Sequence, residues 1–186
     1  MKIGIFGGGV VGGGIIELIK RSTASGRFKA LGISLEVAKV CVRDLAKPRD
    51  YIVPSGVLCT DFNVMLNDPS IDCIIEVAGG VTTAKDVVFG AIQAGKHVVT
   101  ANKALIAAFL PEIQASLKAN PSVKFSFEAA VCGGIPIIHA LHSDFMADSI
   151  TKVCAALRSP PLITLTAALH ICRREREDSC LALTYL

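Results

Sequence analysis

Lys2-Ile3-Gly4-Ile5-Phe6-Gly7-Gly8-Gly9-Val10-Val11-Gly12 is the stretch that decides the fold of this chain. Lys2 to Phe6 is a short apolar run ending in glycine, the pattern of a strand buried on both faces. Gly12 to Lys20 then places Ile15, Ile16 and Ile19 on one face of a helix. Between the two, Gly7, Gly9 and Gly12 fall at G-x-G-x-x-G spacing. Gly7 permits a tight turn, Gly9 lets the backbone approach a pyrophosphate, and Gly12 lets helix and strand pack closely. The helix N-terminus offers unpaired N–H donors and a partial positive charge to an anion. By themselves the glycines would make a bare structural turn; between a strand and a helix they predict dinucleotide binding.

Outward from this turn the same alternation repeats. Ser22 to Gly32 reads as a surface connection, Leu35 to Val42 as a β-branched strand, and Pro48 and Pro54 bracket a loop. Val64 to Asn67 reads as a short helix and Ile71 to Val77 as a buried strand stopped by Gly79-Gly80. The next helix carries Val87, Val88, Ala91 and Ile92 at helical spacing, with Thr82 or Thr83 as its cap and Gly95 at its end. His97 to Thr100 follows as a strand, and Leu105 to Leu117 as a helix in which Pro111 opens a second segment. Val123 to Phe127 alternates as a strand, and Pro136 opens a helix through Leu141. Strands alternating with helices predict an α/β fold, a Rossmann-type doubly wound parallel sheet.

The composition narrows the function. Of 186 residues, 52% are hydrophobic and 19% charged, which excludes a disordered chain and suits one sizeable core. No apolar run reaches the ~18 residues of a membrane span, and the glycine-rich start does not resemble a secretory signal. A net charge of +3 and the absence of Trp argue against nucleic acid as a partner. Seven scattered cysteines without a C-x-x-C pair read as reduced thiols of a cytoplasmic or organellar protein, and no Cys/His cluster has metal-ligand spacing.

The second strand ends in Val42-Arg43-Asp44, where the adenine ribose of a dinucleotide would lie. An acid there accepts from the ribose hydroxyls of NAD, and an arginine pairs with the 2′-phosphate of NADP. With Lys47 and Arg49 just beyond, the basic excess favours NADP through Arg43 and leaves NAD open. Glu76, at a strand end before Gly79-Gly80, falls near the same ligand. His139 and His142 share helical spacing and read as structural.

Three segments go beyond the fold: GIFGGGVVGGG from Gly4, HVVTANKALIA from His97 to Ala107, and FEAAVCGGIPII from Phe127 to Ile138. In this order and spacing they resemble the homoserine dehydrogenase family, over about Met1 to Cys154. The resemblance implies NADPH- or NADH-dependent reduction of aspartate 4-semialdehyde to homoserine, in threonine and methionine biosynthesis. It implies that Gly8, Gly9, Val10 and Val11 lie along the cofactor pyrophosphate and that Thr100 and Lys103 line the nicotinamide side. Lys103 also follows a strand end, where ligands sit in open α/β sheets, and an ammonium there can polarise a carbonyl or relay a proton as a catalytic group. The FEAAVCGGIPII segment resembles the family's loop for a monovalent cation such as sodium, with Glu128, Val131, Gly133 and Ile135 at the matching positions. Carbonyls of a tight glycine loop are suitable oxygen ligands for a hard cation.

These readings divide the chain into a nucleotide-binding domain at 1–135, the start of a substrate and dimerisation region at 136–154, and a divergent tail at 155–186. After Cys154 the chain reads Ala155-Ala156-Leu157-Arg158-Ser159-Pro160-Pro161 and leaves the family pattern. Most of the substrate and dimerisation domain is therefore expected to be missing, which makes the family's homodimer doubtful for this chain. The alternative to an enzyme is a dinucleotide-binding remnant that is catalytically incomplete.

Overall fold

The structure, a computed structural model, describes residues 1–148. The expectations for the tail, and for Cys154, Cys172 and Cys180, lie outside the described residues. Six parallel strands form one sheet in the order β3-β2-β1-β4-β5-β6. The strands are β1 (Lys2–Phe6), β2 (Glu36–Cys41), β3 (Leu58–Cys59), β4 (Cys73–Glu76), β5 (His97–Thr100) and β6 (Phe125–Ser126). The longer helices are α1 (Val10–Ala24), α4 (Thr82–Gln93) and α5 (Lys103–Ala119). Short ones are α2 (Arg27–Ala30), α3 (Asn63–Leu66) and α6 (Ile137–His139). The strand order reverses between β1 and β4, and a crevice opens at their carboxyl ends, where such sheets bind ligands.

The alternation along β1 explains the two-layered core. Ile3 and Ile5 point to one face and pack with Ile16 of α1, Val40 and Val42. On the other face, Met65, Ile74, Val87, Val88, Ile92, Leu105 and Ile106 make the larger core beneath α4 and α5. Gly4 sits there because a side chain would press on Ile74 Cδ1, 2.9 Å from the position of a Cβ. β1 and β4, at the centre of the sheet, are covered on both sides, and Ile3, Ile5 and Ile74 are all buried there.

The sheet class, the strands that carry the site and the break in α5 agree with the sequence reading. Phe109 leaves helical geometry (φ −130°, ψ 17°), two residues before Pro111, whose ring crowds the preceding turn and removes an N–H. Three details differ. The segment Ser22 to Gly32 is not a plain connection: α1 runs on to Ala24 and α2 follows, because Arg21 to Ala24 contains no helix breaker. Neither Thr82 nor Thr83 caps α4; Val81 is the N-cap and Thr82 already lies inside the helix. The two-residue strand β3 was not anticipated, being too short to show a period. Among the described residues, no helix is long and apolar enough to cross a membrane.

Candidate functional site

The glycine turn is held from three sides. Gly7 has φ +115°, and a Cβ there would lie 2.7 Å from the Ala78 nitrogen, so both the turn and the neighbouring strand end require its bare backbone. Its own N–H donates to the Cys41 carbonyl at 3.0 Å, which ties the turn to β2. A methyl on Gly12 would overlap the Gly7 carbonyl oxygen, the close helix–strand approach that the spacing implies. Gly9 is the N-cap of α1 and faces open space, with nothing within 4 Å of its Cβ position. No side chain caps this helix and no acid occupies its first turn, so its amides and positive end are directed at whatever enters the crevice. Val10 stands 95% exposed at the same place.

Tyr51 supports this turn and was missed in the sequence, where it lies in an irregular loop. Its hydroxyl donates to the Gly8 carbonyl at 2.7 Å, and its ring lies where a side chain at Gly13 would be. Tyr51→Phe is expected to lower stability by about 1 kcal/mol, the value of one such hydrogen bond, in a urea titration. An unchanged midpoint would remove this support role.

Beside the turn lies a cleft of about 810 Å³, within the size range of small-molecule sites. Val11, Lys103, Gly133 and Ile135 all line it, so residues up to 124 positions apart in the chain (135 − 11) meet around one space. Gly79, Gly80 and Cys132 complete much of the wall. Lys103 is exposed and is the first residue of α5. A cation at the positive end of a helix does not stabilise that helix; it adds positive potential to the cleft.

Beneath Lys103 runs a buried polar chain. The Glu76 carboxylate is wholly buried. Its Oε2 accepts from the Thr100 hydroxyl at 2.6 Å, and its Oε1 from the Ala78 and Gly79 amides at 3.1 and 3.3 Å. Thr100 Oγ1 in turn accepts from the Asn102 amide at 3.0 Å. The Asn102 side chain caps α5 through the Leu105 N–H and donates to the Gly80 carbonyl at 2.6 Å. Three loop ends are thus locked together just before Lys103. The side chain of Thr100 is fully buried under the cleft rather than in its wall, and Glu76 serves the scaffold.

At the far end of β2, Arg43 is exposed beyond Cys41. Arg49 is directed elsewhere: its guanidinium donates to the carbonyls of Asp44, Leu45 and Lys47 at 2.5, 3.2 and 2.8 Å and so folds this loop about itself. The Asp44 carboxylate accepts from the Ala46 amide at 2.8 Å. Arg43 and Lys47 are both exposed in this loop.

The segment that resembles a cation loop begins with a short 3₁₀ turn, Glu128–Ala130. Both Glu128 carboxylate oxygens accept amides of α6, from Ile138 and His139 at 2.9 Å each. The Glu128 carbonyl accepts from Val131 N at 3.0 Å and the Ile135 carbonyl from Ile137 N at 2.8 Å. Val131 is buried and extended. Cys132 and Gly133 both take positive φ, +55° and +60°, which coils the backbone between Val131 and Ile135. Burial holds His142, on the adjoining turn, below the ordinary histidine range, and the Glu128 charge opposes that shift. Among the described residues no group of three or more His, Cys, Asp and Glu is placed to hold a metal ion, so side chains alone build no such centre.

A parallel sheet in this order, with a glycine turn at its reversal point, defines a Rossmann-type nucleotide-binding domain. Residues 7–126 match the family model described as the NAD binding domain of homoserine dehydrogenase. The chain belongs to the homoserine dehydrogenase family. It is 36% identical to the homoserine dehydrogenase of Bacillus subtilis over 166 residues, 89% of this chain and 38% of that protein. It is 40% identical to that of Synechocystis over 157 residues, 84% of this chain and 35% of the relative. The crystal structure of a homoserine dehydrogenase from Thiobacillus denitrificans superposes with a TM-score of 0.71 at 40% identity, covering 80% of this chain and 34% of that one. The chain therefore spans little more than a third of the length of these relatives.

Proposed function

We propose that this chain is the dinucleotide-holding part of a homoserine dehydrogenase, an NAD(P)-dependent oxidoreductase acting between aspartate 4-semialdehyde and homoserine. The observation that carries the reading is the meeting of Val11, Lys103 and Ile135 on one cleft beside an uncapped helix start. The open space at Gly9, which a side chain would fill, is the fit expected for a pyrophosphate. The amides at Gly8, Gly9, Val10 and Val11 would hold it, with Gly7 and Gly12 shaping the turn. The bound dinucleotide supplies the hydride. Lys103 orients the carbonyl by a charge-assisted hydrogen bond and stabilises the oxygen as it gains charge. Thr100 acts from below, through Asn102, on where Lys103 sits. Arg43 selects the 2′-phosphate of NADP, and NAD remains a second ligand. Carbonyls of Glu128, Val131, Gly133 and Ile135 would hold a monovalent cation and fix the loop that carries Ile135 into the cleft.

A second reading rests on the coverage of the relatives: the chain binds dinucleotide and does not turn over substrate. Fluorescence titration with NADPH and NADH, followed by addition of aspartate semialdehyde, separates the two. Arg43→Ala is expected to weaken NADPH about tenfold, or roughly 1.4 kcal/mol, and to leave NADH nearly unchanged. Equal losses would remove the preference for NADP. In any form that turns over, Lys103→Met is expected to lower kcat about a hundredfold. No complex with either nucleotide in a folded sample would overturn the proposal as a whole.

A further inference from the structure

The loop that follows β2 is folded around one side chain. The Arg49 guanidinium donates from one terminal nitrogen to the Asp44 carbonyl and from the other to the carbonyls of Leu45 and Lys47. Its Nε is buried and makes no hydrogen bond, so the loop encloses the group. Among the described residues it pairs with no carboxylate. A rigid planar fork holds several acceptors in one fixed arrangement, which an ammonium on a flexible stem does not.

These carbonyls adjoin the exposed basic groups of the loop. Asp44 directly follows Arg43, and Lys47 supplies its own carbonyl. On the other side of Arg43, Val42 is buried and its amide donates to the Cys59 carbonyl at 2.8 Å. At the loop's exit the Tyr51 hydroxyl is tied to the Gly8 carbonyl. The backbone is therefore held on both sides of Arg43, at Lys47, and against the glycine turn. The acid that would serve NAD is drawn into the same fold, since Asp44 Oδ1 accepts from the Ala46 amide.

We infer that Arg49 is a positioning residue for cofactor choice: by holding these carbonyls it sets Arg43 and Lys47 for the 2′-phosphate of NADP. It does not touch the phosphate itself, because its terminal nitrogens are directed at the loop. The inference rests on the proposed function above and goes beyond it by placing selectivity in a group that meets no ligand. A loose loop would have to be ordered as the phosphate binds; a loop already folded avoids that cost. The gain falls on NADPH alone, since NADH has no phosphate for those two cations to meet.

Fluorescence titration of the full chain with NADPH and NADH tests this. Arg49→Met keeps the stem and removes the donors; it is expected to raise the NADPH Kd about fivefold and to leave that of NADH within about twofold. In an Arg43→Ala/Lys47→Ala background the same change is expected to add nothing to the NADPH Kd, because the groups it positions are gone. Arg49→Lys keeps the charge without the fork and is expected to recover less than half of the loss. In the absence of nucleotide, hydrogen exchange of the peptide spanning 43–50 is expected to quicken in Arg49→Met. Equal losses for the two nucleotides, a further loss in the Arg43→Ala/Lys47→Ala background, recovery of half or more by lysine, or unchanged exchange would each overturn the inference. A parent chain that binds neither nucleotide would overturn the proposed function and this inference with it. A parent that binds NADPH while its variants give any of those contrary results would overturn this inference alone.

Discussion

Gly12→Ala is expected to abolish dinucleotide binding and to destabilise the fold by about 3 kcal/mol, the upper part of the range for an overpacked site. The added methyl would overlap the Gly7 carbonyl oxygen, and backbone cannot swing aside as a long side chain can. Relief requires α1 to lift off β1, which moves every amide at the helix start. The matched control is Gly14→Ala. Gly14 lies in the same helix, exposed, with nothing within 4 Å of its Cβ position. Replacing it is expected to stabilise the chain by about 0.5–1 kcal/mol, through helix propensity alone. Urea melts and NADPH titrations of the pair settle the matter: similar behaviour of the two variants would show that the close approach of helix and strand is not what the turn depends on.

The second large effect is expected at Glu76. Glu76→Ala removes the acceptor for the Thr100 hydroxyl and for two amides. With about 1–3 kcal/mol for each stranded donor, the loss is expected to reach about 3 kcal/mol or more. Glu76→Gln keeps the size and one acceptor oxygen but places an amide donor where a hydroxyl must now accept, so about half the effect is expected. Thr100→Val combined with Glu76→Gln tests the coupling in a double-mutant cycle, where the pair is expected to cost less than the sum of the single changes. The cleft should register the same loss: hydrogen exchange at Asn102 to Ile106 is expected to rise, because Thr100 holds the Asn102 amide. Additive costs with unchanged exchange would show that the chain of polar contacts does not position Lys103.

Much of the fold was legible because its signals are local. The run from Lys2 to Gly12 has its period, its breakers and its glycines in consecutive positions, and α1 and β1 followed from them. The parallel order could be inferred from alternation, since strands joined through helices have few ways to pair. Ser22 and Thr23 misled because small polar residues favour caps and turns in isolation, whereas Ser22 is buried against the rest of the fold. The motifs marked residues that the fold brings together, since Val11, Lys103 and Ile135 line one cleft. The scaffold beneath them was not legible. Tyr51 reaches Gly8 across 43 positions and Thr100 reaches Glu76 across 24, and no pattern along the chain encodes such contacts. Arg49 read as one more basic group beside a phosphate; only the folded loop shows its guanidinium turned onto three carbonyls.

Among the described residues, the two rims of the sheet, β3 and β6, stop after two residues each. A rim that short presents too few open backbone groups to template a foreign strand, so runaway fibril growth along the sheet is disfavoured from either side. A mutation that lengthened either rim would be the one to watch for insolubility.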